Sequence, residues 1–191
     1  AATVDQVDVV VAATFGDDAD TEGAILLRED STVVNDGTIT ATADDTQGVE
    51  AGNNATVTNQ GIGVIRGGGG DTGAAILFSG IDATANNAVN NNGTGEITTS
   101  GTGTVAIQGS VGNETITLSD TSTLTGDIIL GGGDDIVTIQ DDATATGNVD
   151  LGDGTNQFAI SGTADLTGTI MGGAGNDTVT LTGTASTLTG D

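Results

Sequence analysis

Gly131-Gly132-Gly133-Asp134-Asp135-Ile136-Val137-Thr138-Ile139 is echoed by Gly152-Asp153-Gly154-Thr155-Asn156-Gln157-Phe158-Ala159-Ile160, and again, after the same step along the chain, by Gly173-Ala174-Gly175-Asn176-Asp177-Thr178-Val179-Thr180-Leu181. Each copy is a Gly/Asn/Asp corner running into four residues that alternate, with one face always apolar. Ile116, Val137, Phe158 and Val179 keep the 21-residue spacing, and so do Leu118, Ile139, Ile160 and Leu181. Period-two alternation with a constant apolar face is a strand with one face buried. The corner residues are those that tolerate the positive φ angles of a tight turn. A fixed period of this length marks a solenoid, in which each repeat buries its apolar face only by stacking on its neighbours.

Working outward from these phrases, Leu124, Ala145 and Leu166 fall in the same register, followed by Gly126, Gly147 and Gly168 and then by Ile128, Val149 and Ile170. They predict two further short strands bent at a glycine, so that one coil holds several strands. Neighbouring coils of such a parallel β-helix stack about 4.8 Å apart. Towards the N-terminus the pattern loosens: Gly23, Gly48 and Gly73 are 25 apart, each leading into an apolar stretch such as Ala24-Ile25-Leu26 or Ala74-Ala75-Ile76-Leu77. Val34-Asn35-Asp36-Gly37-Thr38-Ile39, Thr58-Asn59-Gln60-Gly61-Ile62 and Val89-Asn90-Asn91-Asn92-Gly93 read as variants of one strand-to-corner unit. Coils here are expected to be longer, about 25–30 residues, with loops at 67–71 and 86–87.

Composition agrees with a thin interior. The 191 residues include 33 glycines and no proline, cysteine, histidine, tryptophan or tyrosine, yet 35% are hydrophobic. That is too much aliphatic content for a disordered acidic tail. With 27 acidic residues against Arg28 and Arg66, the formal net charge is −25. Such a chain cannot neutralise phosphates, which argues against nucleic acid, and its field repels an anionic membrane surface. The longest apolar run near the start, Val9 to Ala13, is far short of a membrane span, so no direct membrane insertion is expected. Divalent cations are the natural counter-ligand.

The phrases Val34-Asn35-Asp36-Gly37-Thr38-Ile39-Thr40, Gly112-Asn113-Glu114-Thr115-Ile116-Thr117-Leu118 and Gly131 to Ile139 resemble the repeat idiom of bacterial autotransporter passenger domains, from about Gly23 onward. The resemblance implies a right-handed β-helix stalk or adhesin exported through an outer-membrane barrel that this chain does not include. The expected fold is therefore all-β, a right-handed parallel β-helix (β-solenoid) of about eight coils. It would have an irregular start or cap over 1–22, longer coils over 23–110 and regular 21-residue coils over 111–191. Gly172-Gly173-Ala174-Gly175-Asn176-Asp177-Thr178-Val179-Thr180 is also similar to the calcium-binding nonapeptide of repeats-in-toxin proteins. Tandem nonapeptides would give a period of 18, so that likeness implies isolated calcium sites rather than a calcium roll.

Two readings of the corners follow. Asp134, Asp135, Asp153, Asn156, Asn176 and Asp177 are candidate calcium ligands, because hard oxygen donors suit calcium and zinc would want His or Cys. Alternatively Asp and Asn sit there because they bond their own backbone in turns. One position reads Glu114, Asp135, Asn156, Asp177 from coil to coil, so carboxylates stacked there repel unless a cation or the intervening Asn156 relieves them.

Catalysis is not expected. The carboxylate pairs Asp44-Asp45 and Asp141-Asp142 are adjacent in sequence and so point to opposite faces of a strand. The chain also offers no histidine, lysine, tyrosine or cysteine as base or nucleophile. An ice-binding face would need unbroken Thr-x-Thr ranks, and Ile136, Gln157 and Ala159 interrupt the rank begun by Thr115 and Thr117. The expected function is a structural or adhesive stalk, fibre or filament at the cell surface. It would be held to the outer membrane by a segment outside this chain and need no cofactor. End-to-end self-association or continuation into a longer solenoid would follow from open strand edges. The alternative is a calcium-binding surface-layer or matrix protein that folds after export. The adhesive ligand is not legible.

Overall fold

The computed structural model describes residues 24–70, 73–100, 104–183 and 187–189; the cap expected over 1–22 lies outside them. The described chain is all strand and turn, arranged as three parallel sheets of seven strands each. The first sheet stacks Ile25–Leu27, Val49–Ala51, Ile76–Phe78, Val105–Gln108, Asp127–Ile129, Val149–Asp150 and Ile170–Met171. The second stacks Thr32–Asn35, Thr56–Asn59, Asn86–Asn91, Asn113–Leu118, Ile136–Ile139, Gln157–Ile160 and Thr178–Leu181. The third stacks Thr38–Thr40, Val64–Arg66, Glu96–Thr98, Thr123–Thr125, Thr144–Thr146, Asp165–Thr167 and Thr187–Thr189. Each coil visits the three sheets in turn, which is a β-solenoid. Seven stacked strands make six turns rather than the eight coils expected, and six steps of about 4.8 Å give a stack roughly 29 Å long. The expected coil number was too high because the N-terminal coils spend much more chain on a single turn than the regular ones do, as the step from Val57 to its stacked partner Val89 shows.

The 21-residue register holds through the C-terminal half. Ile116 pairs with Val137, Val137 with Phe158 and Phe158 with Val179. The break at Gly126, Gly147 and Gly168 is where the chain leaves the third sheet for the first, with φ of 125°, 141° and 155° that a side chain would strain. In the N-terminal coils, Ile25 pairs with Val49, Val49 with Ile76 and Ile76 with Ile107, so each step there is longer than the one before. The extra length sits in turns between strands. Gly67, Gly68 and Gly69, expected within a loop, are instead buried at a corner.

One core runs the length of the stack. Ile39, Ile65, Ile97, Leu124, Ala145 and Leu166 line it from the third sheet, Ile76, Ile107, Ile128 and Val149 from the first, and Val57, Val89, Ile116, Val137 and Phe158 from the second. Aliphatics dominate, with Phe78 and Phe158 as the rings of the core, since each side chain must fit between the neighbours in its own column above and below.

A buried polar column runs through the N-terminal coils. Asn35, Asn59 and Asn91 occupy one inward position and lie at 2%, 0% and 0% exposure. Asn35 Nδ2 donates to Asn59 Oδ1 at 2.7 Å, and Asn59 Nδ2 to Asn91 Oδ1 at 2.8 Å. Spare amide protons reach corner carbonyls: Asn59 Nδ2 also meets the Gly63 and Glu96 carbonyls, and Asn91 Nδ2 those of Gly95 and Thr123. In the regular coils the same column becomes Leu118, Ile139 and Ile160. Asn59→Ala removes the middle rung and leaves buried donors and acceptors on both sides unpaired, which costs about 2–4 kcal/mol. Urea unfolding followed by circular dichroism should show that loss. Asn59→Leu should fare no better despite Leu118 in the same column, because the Asn35 amide and Asn91 Oδ1 on either side lose their partner.

Candidate functional site

The densest chemistry lies at the corner leading into the second sheet. There Asn87, Glu114, Asp135, Asn156 and Asp177 stack, each one coil above the last, directly before the inward apolar ladder. The strands place them: Asn87 and Glu114 pair in register, and the 21-residue repeat carries the position on. All but Glu114 accept a backbone N–H from the preceding coil. Ala55 N donates to Asn87 Oδ1 at 3.1 Å, Glu114 N to Asp135 Oδ1 at 2.6 Å, Asp135 N to Asn156 Oδ1 at 2.9 Å and Asn156 N to Asp177 Oδ1 at 3.0 Å. The column thus supplies acceptors where the corner leaves backbone amides without a ladder partner.

The amide members of the column also donate. Asn87 Nδ2 reaches Glu114 Oε1 at 2.8 Å, and Asn156 Nδ2 reaches the Gly152 and Gly172 carbonyls at 3.1 and 3.4 Å. Ser110 Oγ donates to Glu114 Oε1 at 2.6 Å. The acids have nothing to donate when ionised. Glu114 and Asp135 are fully buried, and Glu114 Oε2 and Asp135 Oδ2 have no hydrogen-bond partner. Burial pushes the Glu114 carboxyl up, against the Ser110 and Asn87 hydrogen bonds that pull it down. Burial also pushes Asp135 up to about 7; the Glu114 N–H opposes this, and the Glu114 and Asp134 carboxylates add to it.

Of the six candidate calcium ligands, the structure puts three in the column and three outside it. Asp135 and Asn156 are buried and Asp177 half-buried, whereas Asp134, Asp153 and Asn176 are exposed. The outer acids also serve the backbone: Thr155 N donates to Asp134 Oδ1 at 2.8 Å, and Ala174 N to Asp153 Oδ1 at 3.1 Å. Among the described residues no three His, Cys, Asp or Glu side chains converge as a metal cluster. Glu114 was legible as a member of the stack but not as a site residue. Asn87 and Ser110 escaped sequence reading because the step from Asn87 to Glu114 is longer than the period that links Glu114 to Asp135. The more regular threonine rank also lay elsewhere than expected. Thr123 and Thr125 pair with Thr144 and Thr146 on the outer face of the third sheet, and Thr146 with Thr167, with Asp165 as the interruption.

A scan against protein-family models, a search of curated proteins and a search of solved structures each found no match. The class is therefore defined by the fold alone: this is a β-solenoid repeat protein.

The column makes stability depend on pH with an unusual sign. Because the folded state raises the Asp135 pKa to about 7 from an ordinary value of 3.8, its contribution is full at acid pH and lost as pH rises through about 7. The groups facing it are the Glu114 and Asp134 carboxylates and the Asn156 amide. The thermal midpoint should fall between about pH 4 and 7 and level off above that. Asp135→Asn, which copies the neighbouring Asn156, should raise the midpoint at the alkaline end and flatten the profile. Since 26 of the 27 acidic residues remain in the variant, general charge repulsion persists there and the difference isolates this one carboxyl.

Proposed function

We propose that this chain is a structural or adhesive part of an extracellular bacterial protein: a stiff stalk, fibre or filament segment at the cell surface, with no catalytic role. The observation that carries the reading is that strands, buried ladders and corner side chains all bond from coil to coil, so the molecule is organised along one axis. The resemblance of its repeat phrases to autotransporter passenger domains points the same way, and a net charge of −25 suits a solvated surface that repels its like. Attachment to the outer membrane would come from a segment outside this chain.

Association with further coils stacked end to end belongs to the same reading, because parallel strands bonded coil to coil can be extended by backbone pairing. A calcium-assembled matrix or surface-layer protein is the second reading, favoured by the two partnerless carboxylate oxygens in the corner column.

Antibody raised against the chain should label intact cells of the producing bacterium, and deleting the coding segment should shorten or remove a surface layer or fibre seen by negative-stain electron microscopy. Labelling that needs permeabilised cells would overturn the surface reading.

A further inference from the structure

We propose that Glu114 and Asp135 are the core of an internal binding site for one hard divalent cation of the calcium type, distinct from the exposed Asp134, Asp153 and Asn176 corners. Two fully buried carboxylates sit one coil apart in a single column, and each keeps one oxygen without a partner. Leaving two such charges in a protein interior uncompensated is strongly unfavourable, so the column needs positive charge at this level. Arginine does not supply it: Arg66 pairs with Glu96 on the outer face of the third sheet at 3.4 Å, and Arg28 is exposed near the N-terminal end.

The rest of the column shows what is missing. One coil on, Asn156 turns an amide towards the Gly152 and Gly172 carbonyls, whereas Asp135 has an oxygen in place of that amide. The Asn87 amide, the Ser110 hydroxyl and the Glu114 N–H are spent on one oxygen of each acid, and Glu114 Oε2 and Asp135 Oδ2 are left over. Gly109 packs tightly against the Leu130 backbone with Glu114 Oε2 beside it, which places that partnerless oxygen next to backbone of the following coil. Carboxylate oxygens, with no imidazole or thiolate in the chain, suit calcium rather than zinc or copper. The proposal deepens the calcium reading of the corners and does not depend on where the protein resides.

The test is thermal unfolding of the full chain at about pH 8, in chelator and in millimolar calcium chloride, with magnesium chloride as the comparison and isothermal titration calorimetry for stoichiometry. Calcium should raise the midpoint by about 5 °C or more, more than magnesium does. Asp135→Asn and Glu114→Gln should each abolish the calcium-dependent shift. Asp135→Asn should remain folded, because Asn156 already fills the equivalent position one coil on. The double variant Asp134→Asn, Asp153→Asn should keep the shift. A calcium shift that survives both inner variants, or is lost in the outer double variant, overturns the proposal in favour of outer corner sites. No calcium shift in the unaltered chain overturns it in favour of a proton as the occupant, whatever cell-surface labelling shows.

Discussion

Everything in this molecule depends on one constraint: each side chain that points inward must lie on its own counterpart one coil above and one coil below. Backbone pairing fixes the coil spacing, so the interior cannot adjust by sliding. A position can therefore hold only residues that stack with their neighbours in the column. Branched aliphatics meet the condition by dispersion and close packing, and asparagine meets it because its side chain is both donor and acceptor, as in Asn35, Asn59 and Asn91. An isolated carboxylate fails it, since two of them in succession offer only acceptors. The composition follows from this rule: many small and branched residues and few rings.

That constraint explains what sequence alone could reveal. Where the corners are uniform, as after Asn113, the register of Ile116, Val137, Phe158 and Val179 could be read directly and agrees with the pairing residue for residue. The strand boundaries Ile136–Ile139, Gln157–Ile160 and Thr178–Leu181 were equally plain. Periodicity was blurred where turns absorb extra residues, because a turn can lengthen without disturbing the stack it connects. The Val57 to Val89 and Asn87 to Glu114 steps differ for that reason, and with them went the coil number and the upper part of the corner column. The inward direction of Asp135 as against the outward direction of Asp134 was also hidden, since alternation within a glycine-rich corner has no strand to set its phase.

The charge of the chain is divided accordingly. Among the described residues most carboxylates lie in corners facing water, where several accept backbone amides and their mutual repulsion is screened. Such bonds let an acidic surface contribute to the ladder rather than oppose it. Glu114 and Asp135 are the exception: they lie inside, where the second oxygen of each finds neither water nor donor. An asparagine would serve the amide equally well, as Asn87 and Asn156 do in the same column. Retaining acids at two successive levels is thus not required by the fold, and that surplus of negative charge is what separates this part of the column from the rest.

The two polar columns also relate to each other along the stack. In the first coils the buried polar position is at the trailing end of the second-sheet strand, at Asn35 and Asn59, while Ala55 fills the leading corner. In the Asn86–Asn91 strand both ends are polar, with Asn87 and Asn91 each buried. From Glu114 on, only the leading corner is polar and Leu118, Ile139 and Ile160 close the trailing one. Every coil therefore keeps at least one backbone corner tied by side chains, and the changeover occurs in the single strand that carries both columns. Aliphatic ladders alone favour burial but distinguish poorly between a correct stack and one displaced by a coil. A polar column that must meet its counterpart to be satisfied makes such a displacement costly, which accounts for a chain so rich in repeated phrases settling on one register.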